Sequence, residues 1–446
     1  MIVSDYTFLF DDKNKYYAYN ALTNALLELD VDIYHRLANC YRNKDQFTLP
    51  DDDNETFDEL KSNHIIVENQ TDEFLIYKSI ILRQRAGRGS MHLTLAPTMD
   101  CCFRCHYCFE QHKEPGKMTE KVMDAIIHHV EAQKDLKSLN LTWFGGEPLM
   151  AIDEIERFYE KLTPLLGGLQ FSSNIITTAY HINRRVIEVL KKAQVKSMQI
   201  TLDGNRDTHN KVKFTPECDD CFTRVIENID LLAKEYPELH IVIRVNLTLD
   251  NAKEYAELQS FILNRYSGNQ QIAIAPAFVL DRNSGCSSSA QPKSHLFNAK
   301  DYADYILQLA ADGIDSPYVR YPGQYFNECT IRNEVAISFD PTGRAYKCWE
   351  VIGDKRYSIG QLDADGRLSN INETNINRQL YGADQLDNKT CRECRYLPLC
   401  NGGCPIQRIQ NEFENGKNIC CTHYKNHTRE FMLEHIRRKE NGFENK

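Results

Sequence analysis

Between residues 90 and 280 short apolar runs alternate regularly with longer amphipathic ones. The runs at 92–96, 139–143, 173–178, 197–202, 240–247 and 271–275 are rich in Leu, Ile, Val and Thr. Between them, 119–133, 153–166, 183–192, 222–234 and 252–263 repeat apolar residues at helical spacing. Short β-rich runs read as strands and the longer stretches as helices. Six strand-helix units in succession predict a parallel sheet curled toward a barrel, with functional loops at the C-terminal ends of the strands.

The first eighty residues follow another rhythm. Tyr6-Thr7-Phe8-Leu9-Phe10 and Tyr16-Tyr17-Ala18-Tyr19-Asn20 alternate around a turn at 11–15, which predicts a hairpin. Helices are expected at 32–42 and 55–62, then a closing strand, Ile65-Ile66-Val67. Strands followed by helices predict a small winged-helix-like domain over 1–80. The chain as a whole is therefore expected to be α/β: this module, a six-unit (β/α) partial barrel over 87–310, and a cysteine-rich region over 320–430.

Length and charge narrow the partners. A chain of 446 residues suits two to three domains of about 150 residues each. Its net charge of -10 argues against nucleic acid, since Arg437-Arg438-Lys439 is the one basic run that stands out. No 18-residue apolar stretch occurs, and the N-terminus lacks a basic segment followed by an apolar one. A cytoplasmic protein, neither membrane-spanning nor exported by a signal peptide, is expected. In that compartment disulfides do not persist, so sixteen cysteines point to metal or redox chemistry.

Directly after the first barrel strand, Cys101, Cys105 and Cys108 stand in C-x3-C-x2-C spacing. Three thiols are one short of a closed site. They suit a four-iron cluster with one iron open to a small molecule, or half of a zinc ribbon whose partner cysteines lie elsewhere.

With Tyr107 before the last cysteine, and Gly145-Gly146-Glu147-Pro148 after the second strand, the pattern resembles the radical S-adenosylmethionine (SAM) enzymes. The resemblance weakens the zinc alternative. It implies a 4Fe-4S cluster whose open iron binds SAM, and reductive cleavage of SAM to a 5'-deoxyadenosyl radical. It also implies SAM contacts at Gly145, Gly146, Glu147 and Pro148, where backbone and carboxylate would hold the ammonium. Thr178, Thr201, Asp203, Arg244 and Asn246 would reach the ribose or the carboxylate. Arg244 and Asn246 alternate on one strand and could instead pair with barrel neighbours. Where relatives continue with Asn-Gly after the third strand, this chain has Ala179-Tyr180. Cys218-Asp219-Asp220-Cys221 replaces a glycine-rich turn, as a loop substitution or an additional metal or redox pair; Cys102 is expected to be a neighbour and not a ligand.

Farther on, Cys329, Gly343 and Cys348 give C-x13-G-x4-C, and Cys391, Cys394, Cys400 and Cys404 give C-x2-C-x5-C-x3-C, followed by Cys420 and Cys421. This register resembles the SPASM extension, which implies two auxiliary 4Fe-4S clusters. Cys329, Cys348 and Cys404 would hold the first, and Cys391, Cys394, Cys400 and Cys421 the second, with Cys420 as the fallback. Some relatives carry one more cysteine where this chain has Gly323, so the first auxiliary cluster would keep an open iron or borrow a distant ligand such as Cys286. Two zinc sites remain the alternative.

The stretches at 19–29 and 57–66 resemble the leader-recognition element of peptide-modifying enzymes, in which a leader peptide adds a strand to a sheet edge. Together the resemblances imply a maturase that crosslinks a ribosomally made precursor peptide by a thioether, carbon-carbon or related bond. A low-potential donor, flavodoxin or ferredoxin, would supply electrons, and Glu350 would take up a proton. An anaerobic sulfatase maturase, forming formylglycine, is the alternative; such enzymes usually lack a long N-terminal domain and carry an acidic residue in the place of Trp349. A zinc scaffold that binds peptides without catalysis is the alternative of another kind.

Overall fold

In the computed structural model the described residues are 1–49, 54–105, 108, 114–280, 295–314, 323, 326 and 328–440. Tyr107 and Cys286 lie outside them. The N-terminal part contains β1 (Ile2–Val3), β2 (Thr7–Asp12), β3 (Lys15–Asn20), β4 (Ala25–Leu29) and β5 (Ile66–Val67), with helices Val31–Asn43, Asn54–Ser62 and Glu73–Arg85. The turn between β2 and β3 is the two residues Lys13 and Asn14, both at positive φ, 46° and 66°. That handedness matches the twist of paired strands, so the two-residue turn fixes their register. Strands β2, β3 and β4 form one antiparallel sheet in that order, and β1 pairs with β5. The expected hairpin is there, but β4 and the helix Glu73–Arg85 were not expected.

The large sheet has ten strands. Its parallel half is β6 (Ser90–Leu95), β7 (Ser138–Trp143), β8 (Gln170–Thr177), β9 (Val195–Thr201), β10 (His240–Leu247) and β11 (Ile272–Phe278), side by side in chain order. Along β7, β8 and β10 buried residues alternate with half-buried ones. Leu139, Leu141, Trp143, Ile241, Ile243 and Val245 face the helices and build the main core. A parallel sheet covered on both faces would read as continuous apolar runs. The alternation marks an inner face that is polar and partly open, and Thr201, Arg244 and Asn246 belong to it.

The sheet does not stop at β6. Strand β12 (Ile337–Phe339) pairs with β6 in parallel, Ser338 opposite Thr94, and β13 (Arg344–Tyr346), β14 (Gly360–Leu362) and β15 (Leu368–Ser369) continue it antiparallel. Residues of the cysteine-rich region are thereby mounted on the same sheet as the first cysteine loop.

That region also packs on the N-terminal sheet. Tyr6, Phe8, Phe10, Tyr17 and Tyr19 share a buried cluster with Tyr77, Ile81, Leu386, Leu397, Leu399 and Met432. Arg395 stands 4.1 Å over the Phe8 ring, and Arg429 donates to the Asp11 carbonyl at 2.7 Å. Among the described residues no helix is long and apolar enough to cross a membrane.

Candidate SAM and iron-sulfur site

Two loops meet above the inner face. The chain leaves β6 through residues 96–100 into the cysteines, and leaves β7 through Gly145-Gly146-Glu147. Gly146 N donates to the Thr98 carbonyl at 3.1 Å and Glu147 N to the Asp100 carbonyl at 2.8 Å. A Cβ on Gly145, whose φ is +109°, would come within 2.4 Å of the Thr98 carbonyl oxygen, and one on Gly146 within 2.2 Å of that of Asp100. Neither position tolerates a side chain, because the approach is backbone on backbone. These glycines lock the loop that carries Cys101.

Below them opens a cavity of about 220 Å³. Cys101, Cys105, Cys108, Gly145, Gly146, Thr178, Thr201, Arg244, Asn246 and Glu350 all line it, although they come from six separate segments. Arg244 Nε donates to Asn246 Oδ1 at 3.0 Å, which orients the two side chains on the same face of β10. Among the described residues no three His, Cys, Asp or Glu side chains converge on one ion-sized position, so the thiols flank the cavity without closing on a point.

Glu147, Pro148 and Asp203 do not line it. Glu147 is fully buried, and its carboxylate accepts from Leu149 N (3.0 Å) and Thr177 Oγ1 (2.5 Å) on one oxygen, and from Thr178 N (2.8 Å) and Thr178 Oγ1 (2.6 Å) on the other. Two bonds per oxygen fill the acceptor capacity of a carboxylate. In this geometry Glu147 positions Thr178, which does face the cavity. Asp203, also buried, lies 3.7 Å from the Lys213 ammonium. Cys102 is absent from the lining, and its thiol is pushed up by a hydrogen bond with Cys101 and by burial.

Lys213 is the residue that the sequence reading missed. It caps the short helix Arg206–Val212, is 5 % exposed, and lines the cavity with Nζ 3.7 Å from Cys105 Sγ. Burial pushes the Cys105 thiol up to about 11, and Lys213 works in the opposite direction. A buried cation beside a thiol favours the thiolate that a metal needs. The signal in the sequence was only a lysine nine residues after Gly204, with no motif of its own.

Trp349 and Glu350 line the same cavity, with Trp349 edge-on to Phe144 at 5.1 Å. Both directly follow Cys348, so the second cysteine set abuts the first. Cys329, Cys348 and Cys404 belong to one apolar cluster with Tyr346, Ile406 and Ile409. Elsewhere, Lys425 Nζ lies 3.6 Å from Cys421 Sγ, and its ammonium is stabilised by Cys421 first, with Cys394 and Cys400 contributing. Arg408 Nη1 donates to Cys391 Sγ at 3.5 Å.

The model of the radical SAM superfamily matches residues 95–262, which contain the cysteine loop, the two glycines, Thr178, Thr201, Lys213, Arg244 and Asn246. The chain is a radical SAM enzyme. The family implies a 4Fe-4S cluster and SAM, and three thiols, a glycine-built cradle and a cation around one cavity fit both. Among its relatives, the cysteine-type anaerobic sulfatase-maturating enzyme of Clostridium novyi is 23 % identical over 372 residues, 75 % of this chain and 94 % of that protein. The radical SAM cyclopropyl synthase TigE of Paramaledivibacter caminithermalis is 21 % identical over 460 aligned residues, 91 % of this chain and 89 % of that protein. The solved structure of native anSMEcpe with bound AdoMet and the Cp18Cys peptide superposes with a TM-score of 0.57 at 18 % identity, covering 79 % of this radical SAM enzyme and 98 % of that chain. That likeness establishes the shared fold, a mixed α/β architecture around a large sheet.

Proposed function

We propose that this enzyme oxidatively modifies a ribosomally made precursor peptide, forming a thioether, a carbon-carbon link or a related bond. The observation that carries the reading is the single cavity onto which the cysteine loop, the polar inner face of the barrel and the Trp349-Glu350 pair all open. When bound, the cluster and SAM supply a 5'-deoxyadenosyl radical able to take hydrogen from carbon.

The chain's own residues do the rest. Cys101, Cys105 and Cys108 hold the cluster, and Lys213 offsets its charge. Gly145 and Gly146 present backbone at the amino group, while Thr178, Thr201, Arg244 and Asn246 orient the ribose and carboxylate by hydrogen bonds. Glu147, through Thr178, and Asp203, through Lys213, act as positioning residues. Glu350 takes the proton released as the new bond forms, at the wall nearest Cys348. Cys329, Cys348 and Cys404 would hold one auxiliary cluster of a SPASM region, and Cys391, Cys394, Cys400 and Cys421 a second; such clusters would supply one-electron redox chemistry beside the cavity. A flavodoxin- or ferredoxin-type donor and a cytoplasmic setting complete the reading.

The N-terminal part serves as a winged-helix-like leader-recognition domain. In its sheet, β2 is overlaid by Arg395, Tyr396 and Arg429, whereas β4 forms the opposite edge. An incoming leader strand adds to β4, drawing affinity from main-chain hydrogen bonds.

Sulfatase maturation is the second reading, favoured by the Clostridium novyi relative. That alignment leaves a quarter of this chain unmatched, whereas the cyclopropyl synthase aligns along 91 % of it. Trp349, in place of an acidic residue, also separates this chain from the sulfatase pattern. A test is anaerobic co-expression with a small cysteine-containing peptide encoded beside the gene, read by mass spectrometry. Loss of two hydrogens, dependent on Cys101 and on the peptide's leader, supports the reading. An unmodified peptide beside active SAM cleavage refutes it and turns the search to sulfatase-type substrates.

A further inference from the structure

The loop after Lys213 carries two thiols that meet each other. It turns back at Thr215, whose backbone bridges Cys218, and bends again at Asp219 into the 15-residue helix Cys221–Glu235. Cys221 is 1 % exposed, and its sulfur lies 3.6 Å from the Cys218 carbonyl oxygen. The two side chains hydrogen-bond to each other, and Cys218, which is half-buried, also hydrogen-bonds to Tyr180. Residues three apart across such a bend keep their Cα atoms within about 7 Å, a span that a disulfide can bridge.

The carboxylate beside them is not available to complete a metal site. Asp220 Oδ1 accepts from Asn210 Nδ2 at 3.0 Å and Thr223 N at 3.2 Å, and Oδ2 from Arg206 at 2.5 Å. The start of the helix carries partial positive charge, which favours a thiolate. The same loop reaches the cysteine site. Lys213, five residues before Cys218, holds Nζ 3.7 Å from Cys105 Sγ and 5.9 Å from the centre of the Phe103 ring. Phe103 in turn meets the Tyr180 ring edge-on at 5.2 Å. One route through backbone and one through side chains thus join Cys218 to the wall of the SAM cavity.

We propose that Cys218 and Cys221 are a thiol-disulfide exchange site, oxidised by the disulfide of a low-molecular-weight thiol, and that their oxidation weakens SAM binding. Cys218, the more accessible sulfur, attacks as the thiolate and expels one half of the small disulfide. Cys221 then attacks the mixed disulfide at Cys218 and expels the other half. Two electrons pass from the pair to the small disulfide, whose two halves take up the two protein protons. Closing the bond removes the thiol hydrogen bonds, the one to Tyr180 included, and pulls on the loop that carries Lys213.

The test uses the full chain with its iron loaded, equilibrated anaerobically in mixtures of reduced and oxidised glutathione, quenched in acid, alkylated and digested with trypsin. Cleavage after Lys213 and Arg224 releases both cysteines in one peptide, 214–224. As the mixture becomes more oxidising, that peptide should pass from two alkyl groups to none, with loss of two hydrogens, in one two-electron step. Cys221→Ser should stop with glutathione on Cys218, and Cys218→Ser should leave Cys221 alkylated. Isothermal titration of the same samples should show SAM held several-fold more weakly by the oxidised chain, with no such change in Cys218→Ser. Two alkyl groups retained in the most oxidising mixture overturn the exchange site, as does glutathione that stays on Cys218 of the unsubstituted chain. A disulfide with unchanged SAM affinity overturns the link to the cavity. So does an equal loss of affinity in Cys218→Ser, which would assign the effect to other cysteines.

Discussion

The cysteine loop at 101–108 and the eight cysteines between 329 and 421 solve the same problem in opposite ways. The loop brings three thiols to one cavity within eight residues of sequence, following β6. The later cysteines are spread over more than ninety residues, and the strands, helices and close backbone contact at Gly403 lie between them. A short loop costs little entropy to close, whereas distant ligands depend on everything folded between them. The first site should therefore fail locally when broken, and the second should fail with its surroundings.

The sharpest break is removal of a thiol. Cys105→Ala should abolish SAM cleavage while much of the iron remains bound; Cys391→Ala should leave SAM cleavage detectable and abolish peptide product. Anaerobic assay of 5'-deoxyadenosine beside peptide mass spectrometry checks both, and equal loss of cleavage in the two variants would erase the contrast.

The glycines test the scaffolds. Ala at Gly146 or Gly403 must push back a carbonyl that would sit 2.2 Å or 2.0 Å from its Cβ. Each should cost about 1–3 kcal/mol, the usual penalty of overpacking. Iron counting should then separate them: Gly146→Ala should impair the SAM-binding cluster alone, and Gly403→Ala the auxiliary iron.

A smaller effect is expected at Lys213. Lys213→Met should weaken SAM binding by about tenfold, the worth of one charge-assisted hydrogen bond, while Lys213→Arg retains most of it. Isothermal titration of the iron-loaded protein measures this, and an unchanged affinity would remove Lys213 from the site.

A further effect is in pH. His209 is buried against Asp203 N, and burial holds its imidazole down at about 3. The unfolded chain takes up that proton near pH 6.5 and the folded chain does not, so stability is full above pH 6.5 and declines by about 1.4 kcal/mol per unit as pH falls toward 3. His209→Asn should flatten the slope of urea stability between pH 6.5 and 5 by that amount.

The barrel was legible because its strands alternate, the outer residues packing on helices and the inner ones facing the cavity. Strand β4 was not recognised as a strand, since Ala25-Leu26-Leu27-Glu28-Leu29 is apolar without period. The helix Glu73–Arg85 was obscured by Leu75, Ile76 and Leu82, which are apolar yet exposed. Strands β12 to β15 are two or three residues each, too short to carry any period. Tyr107 lies outside the described residues, so its place at the site stays an expectation.

By itself the sequence determined the resemblance to radical SAM enzymes, because the cysteine spacing and the Gly145-Gly146-Glu147-Pro148 stretch that carry it are local and survive any packing. Only the tertiary structure decided that Glu147 is filled by Thr177, Thr178 and Leu149, that Lys213 reaches Cys105, and that β12 carries the second cysteine region onto the edge of the barrel sheet. Those relations join residues far apart in the chain. They are set by which backbone fits against which, and no pattern of neighbours along the chain encodes such a fit.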